Sequence, residues 1–202
     1  MGLKLLIISL WTPQYLLKKE IDRVAEVTNC CLDHLLSIYA SEKLEVIREK
    51  ELIMKGGLEE RRNIMANAHN MRVEALVEIL GVEEAVSLGR GALFKAGLKL
   101  GQEAKVRLGV GNSLHDLISA ARVLYRVLGI DFEIKESSGK IDMIVHKCSL
   151  SNYYNSKTCR ILSAADEGVV QGLNENIHLN FIERMAEGPS KCVARIILSE
   201  KS

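Results

Sequence analysis

The chain has 202 residues, 27 basic and 26 acidic side chains, a net charge of +1, 48% hydrophobic residues and 26% charged residues. At roughly 150 residues per domain this is one large domain, or one domain with a substantial extra segment, and the composition is that of a globular chain. Near-neutral charge excludes nucleic acid or an anionic membrane surface as the main partner, while 4% aromatics and two prolines favour long helices over a β-sandwich or barrel.

The opening segment, Met1 to Trp11, is an apolar run that imitates a signal sequence. It is far short of the ~20 residues of a membrane span, and the Thr-Pro-Gln-Tyr that follows offers no small-residue cleavage site. A short strand or packed helical turn is expected there. Thr12 before Pro13 reads as a helix start, with threonine as N-cap and proline at the first helical position. Leu17, Ile21, Val24, Thr28, Cys31, Leu35 and Ile38 then recur at steps of three and four, which predicts a helix with one seam. The seam suits either the body of the protein or a second copy, so a homodimer through this helix is one expectation.

Ser41 to Arg62 holds six acidic and six basic residues, a pattern of solvated helix in which Glu51 and Lys55 sit at helical spacing. Gly56-Gly57 breaks it. A helical pattern runs from Leu58 to Leu80 and ends at Gly81. In the next, Val82 to Leu108, the small residues Ala85, Gly89, Ala92, Ala96, Gly97 and Gly101 share a face, which fits close approach of another helix or room for a ligand. Gly89-Arg90-Gly91 is not a dinucleotide fingerprint, because Phe94 stands where the third glycine belongs and no strand precedes it. Ser113 with Asp116 resembles a capping box that opens a helix to Leu128.

The period changes at Ile130. Asp131–Glu136 alternates as a half-buried strand does, Ser137–Lys140 is a turn, and Ile141–Lys147 is a second strand. A helix over Ser156 to Gln171, a strand over Ile177–Phe181, a turn over Glu187–Lys191 and a strand over Cys192–Leu198 follow. Helices first, then two hairpins separated by a helix, predict an α+β fold with a mostly antiparallel four-stranded sheet.

Five cysteines, an odd number, and no signal peptide make a poor disulfide framework and predict a reducing, cytoplasmic setting. Cys30 and Cys31 belong to the first helix. Cys148 leaves the second strand, Cys159 opens a helix and Cys192 opens the last strand, so adjacent hairpins bring the three together. His146, two residues before Cys148, shares its sheet face by strand parity. Three thiolates and an imidazole suffice for tetrahedral zinc, although no CxxC or HExxH spacing is present. A reactive thiol is the second reading, best met by Cys159 near a helix start, and plain buried packing is the third. His34, His69 and His115 read as polar-face or capping residues, and His178 as a reserve acid–base group. Asp166-Glu167 is not an acid–base pair, since neighbours on a helix face apart.

Cys148, Cys159, the strand-like run Ile177–Ala186 and the closing Gly188-Pro-Ser-Lys-Cys192 before an alternating strand resemble the end of the L-2-amino-thiazoline-4-carboxylic acid hydrolase family. They also resemble the related 4-vinyl reductase small-molecule-binding domains, and the glycine-rich helix up to Gly109 is placed as in that group. The resemblance covers about residues 75 to 198, which sets residues 1–74 apart as a helical extension and 75–202 as the α+β domain. It implies a ligand-binding fold shared with a vesicle-tethering subunit family. It implies either binding of a small, partly apolar molecule or hydrolytic opening of a small thiazoline or cyclic amidine. In the enzyme reading Cys159 is nucleophile and His146 or His178 carries protons; the cysteines of the vinyl-reductase group suggest zinc. Met185 stands where vinyl-reductase domains often carry a further cysteine, and Pro189 replaces the usual acidic residue. The missing cysteine favours the hydrolase-like branch or a divergent binder.

Overall fold

The computed structural model describes Leu5, Ile8 and residues 12–199. The reading of Met1–Trp11 as a strand or packed turn lies outside these, apart from Leu5, buried in the core, and Ile8 packed against it. Five helices come first: α1 (Gln14–Tyr39), α2 (Ser41–Lys50), α3 (Leu58–Leu80), α4 (Val82–Leu108) and α5 (Leu114–Leu128). Then follow β1 (Ile130–Ser137), β2 (Lys140–Cys148), a 3-10 turn (Ser149–Asn152), α6 (Ser156–Leu173), β3 (Ile177–Glu183), a second 3-10 turn (Met185–Glu187) and β4 (Cys192–Leu198). Among the described residues no helix is long and apolar enough to cross a membrane.

Helix starts follow local chemistry, with one correction. Pro13, not Thr12, precedes the first helical residue of α1, and the Thr12 hydroxyl donates backwards to the Ile8 carbonyl at 2.8 Å. The Ser113 hydroxyl accepts from the Asp116 amide at 3.1 Å, as a cap should. Segment 51–55 is not helical. Glu51 there accepts from the buried Arg72 at 2.8 Å and from Asn29 at 3.0 Å, so tertiary pairing overrides its helical spacing with Lys55.

The α1 seam is occupied within the chain. Leu17, Ile21 and Ala25 pack with Met65, Ala66, Val127 and Leu150, while Leu32, Leu35 and Leu36 join residues of α2, α3, α4 and α6. Only Ile38 of the seam is exposed. Most of the seam therefore packs within the chain. Ion pairs of Glu20 with Arg23 and Arg107, and of Arg23 with Glu103, tie α1 to α4 as well.

The sheet is antiparallel with order β1-β2-β4-β3. The two hairpins are thus neighbours, joined where Val145 pairs with Cys192. Its inner face carries Phe132, Met143, Val145, Cys192, Ala194, Ile196 and Leu179, packed with residues of α5 and α6 into one core. Parity is interrupted in β3, where Ile182 is unpaired between Phe181 and Glu183, and in β2. Asp131 pairs with Lys147 and Phe132 with Val145, which leaves His146 without a partner in a β-bulge. The extra residue returns Cys148 to the inner face and puts His146 on the outer one, against its expected orientation.

Candidate functional site: a cavity under the sheet

Helix α6 positions most of the site. Asn155 caps it, its side-chain oxygen accepting from the Thr158 amide at 2.8 Å. Its packing on α4 is backbone on backbone. A Cβ on Gly97 would overlap the Ala165 carbonyl, one on Gly101 the Val169 carbonyl, and ones on Gly168 and Gly172 the Phe94 and Leu98 carbonyls. The small-residue stripe of α4 thus meets a second stripe on α6. That contact fixes the rotation of α6, with Gly168 and Gly172 against α4 and Cys159, Leu162, Ser163 and Asp166 turned to the interior.

These side chains face a cavity of about 140 Å³. Val145, Cys148, Phe181 and Cys192 come from the sheet, Leu124, Tyr125 and Leu128 from α5, Thr28 from α1, and Met65 and His69 from α3. The wall is mainly apolar, with a few polar groups set into it. Cys148, Cys159 and Cys192 each line this cavity. Burial pushes the Cys159 thiol up to about 12, with Cys192 and Cys148 adding to it, and the Cys148 thiol up to about 11. Burial raises Cys192 too, although the Met185 amide donates to its sulfur at 3.3 Å. All three are thiols at neutral pH.

Asp166 also faces the cavity, and its spacing from Cys159, two helical turns on, was the signal that could have found it. Burial and the neighbouring Glu167 raise its carboxyl to about 7, opposed by a hydrogen bond with Tyr125. Glu167 turns away and binds Arg90 at 2.7 Å, so the two adjacent carboxylates do face apart. His69 corrects its reading as a polar-face residue, being 1% exposed. Its Nε2 lies 2.7 Å from Thr28 Oγ1, and its Nδ1 lies 2.7 Å from the Tyr154 hydroxyl. The Thr28 proton goes to the Val24 carbonyl at 2.7 Å, so Nε2 donates to Thr28 and Nδ1 accepts from Tyr154. Burial, then Arg72, lowers His69 to about 3, and the imidazole is neutral.

Two expected site residues are elsewhere. His146 is 54% exposed on the outer face, with Nε2 3.2 Å from Glu133. His178 is on the face of β3 opposite its buried neighbours, with Nε2 3.0 Å from Ser199 Oγ. Among the described residues no three His, Cys, Asp or Glu side chains lie close enough to hold a metal ion. The donor set of three cysteines and His146 therefore does not fit zinc in this arrangement.

The family model for L-2-amino-thiazoline-4-carboxylic acid hydrolase matches residues 61–196. The chain belongs to this family. The match starts in α3 and takes in every cavity residue except those of α1. No curated protein is similar to the chain at a significant level. Among solved structures it is similar to a trafficking protein particle complex subunit 3 from Naegleria fowleri, covalently bound to palmitic acid. The TM-score is 0.55 at 14% identity, over 70% of this chain and 96% of that one. The α+β fold expected from the sequence is the fold of that subunit, and at this identity the likeness extends to the fold alone.

Proposed function

We propose that this member of the hydrolase family binds one small, largely apolar molecule in the cavity between α6 and the sheet. The observation that carries this reading is the cavity itself, apolar over most of its wall and edged by Asp166, the thiols and the Tyr154–His69 pair. An apolar cavity of roughly 150 Å³ accommodates benzene, so about 140 Å³ suits one ring with short substituents. That is much less than a long acyl chain of the kind bound by the Naegleria subunit needs. A calorimetric titration with benzamide tests it. One-to-one binding is expected, and a Val169→Phe variant, which puts a ring into the space, should lose it. Absence of binding, or binding untouched by that variant, would remove the reading.

A second reading, hydrolytic opening of a small thiazoline-like ring, is favoured by Asp166. A carboxyl that changes charge near neutrality is suited to take a proton from water as its oxygen bonds to the ring carbon. The same group then returns that proton to the departing nitrogen or sulfur. Cys159 is a weaker candidate as nucleophile, because burial keeps its thiol protonated. Turnover of 2-amino-thiazoline-4-carboxylate should fall about 100-fold or more in Asp166→Asn and survive in Cys159→Ala. The reverse pattern would return the chemistry to the thiol.

A further inference from the structure

Arg184 leaves the end of β3 with its side chain 11% exposed and its guanidinium 5.5 Å above the Phe181 ring. Of its five N–H donors, only Nε–H has an acceptor within hydrogen-bond distance among the described residues, Ser163 Oγ at 3.1 Å. The one carboxylate in ion-pair range, that of Glu187, is 3.9 Å from Nη1 and also lies 3.7 Å from Arg160. The chain treats its other buried arginines differently. Arg72 has Asp33 at 2.6 Å, Glu51 at 2.8 Å and a carbonyl at 3.1 Å. Arg62 has the Val127 and Arg126 carbonyls and the Glu59 carboxylate, each at 3.0 Å. Arg184 is also the only lysine or arginine among the described residues of the cavity wall. Its charge offsets part of the rise that burial imposes on the Cys159 and Cys192 thiols, whereas Asp166 interacts with Glu167 and Tyr125.

The Arg184 side chain is mostly withdrawn from solvent while its Nη groups stay open to approach, and a planar guanidinium donates two parallel hydrogen bonds to a carboxylate. We infer that Arg184 is the residue that holds the carboxylate of this cavity's ligand, an inference that rests on the cavity being a binding site. The ring then lies along the apolar wall, with its acid group at the β3 end.

Calorimetric titration with benzoate and with benzamide, isosteric and uncharged, tests this. A charge-assisted pair is worth about tenfold in affinity or more, so the wild-type protein should bind benzoate at least about tenfold tighter. Arg184→Met keeps the stem and removes the charge, and should bind the two probes equally. Arg184→Lys keeps the charge without the fork and should retain a smaller preference, which decides the matter if the methionine variant does not fold. Equal wild-type affinities, or a benzoate preference that persists in Arg184→Met, would overturn the assignment while leaving the binding site intact. If neither probe binds the wild-type protein, the cavity reading falls and this one with it.

Discussion

Asp166→Asn should reverse a pH dependence built into the fold. In the folded protein the Asp166 carboxyl holds its proton to about pH 7, whereas in the unfolded chain an aspartate loses it near about pH 3.9. Between those values the folded state binds a proton that the unfolded state does not, so rising pH removes stability, and above the folded value the effect is complete. At 1.36 kcal/mol per unit, the interval from about pH 5 to about pH 7 is worth roughly 3 kcal/mol. Asparagine keeps the shape and has no proton to lose. Urea unfolding of both proteins at several pH values gives the comparison, in which the remaining carboxylates cancel. The stability of Asp166→Asn relative to wild type should climb by roughly 3 kcal/mol across the interval and level off above it. A difference that does not vary with pH, or that falls, would refute burial of this carboxyl.

Four further outcomes follow from packing and burial. Gly91→Ala, with open space at its Cβ position, should stabilise by about 0.5–1 kcal/mol through helix propensity. Gly97→Ala on the same helix meets the Ala165 carbonyl and should destabilise by about 1–3 kcal/mol or more; thermal unfolding of the two separates these signs. Tyr154→Phe deprives the buried His69 Nδ1 of its donor and should cost about 1–3 kcal/mol, read from urea midpoints. Iodoacetamide at about pH 8 should label Cys30, which is exposed, well before Cys148 and Cys159, whose thiols burial holds at about 11 and about 12. Peptide mapping that finds Cys159 modified first would contradict that picture.

Much of the fold was legible because local and tertiary preferences agree. The change from a period near 3.6 to a period of two at Ile130 marks where helices give way to the sheet, and alternation places both hairpins within a residue or two. The stripe from Ala85 to Gly101 signalled close packing, although its partner could not be read without knowing that Gly168 and Gly172 fall opposite it. Cys148, Cys159 and Cys192 each line the cavity, but among the described residues no three such groups lie close enough to share a metal ion. His146 was misplaced because one unpaired residue in β2 inverts strand parity, and nothing in the local sequence announces a bulge. His69 sits in a weakly amphipathic helix, where composition does not mark the buried face. Arg184 gains its meaning only from what surrounds it, since a charge at a strand end is ordinarily solvated.

The most direct test is a crystal structure of the protein with benzoate bound. Density for one ring is expected between α6 and the inner face of the sheet, beside Asp166, with its carboxylate on the Arg184 guanidinium. Density confined to the basic surface groove near Arg122 and Lys147, or a cavity that stays empty at saturating benzoate, would contradict the cavity as the binding site.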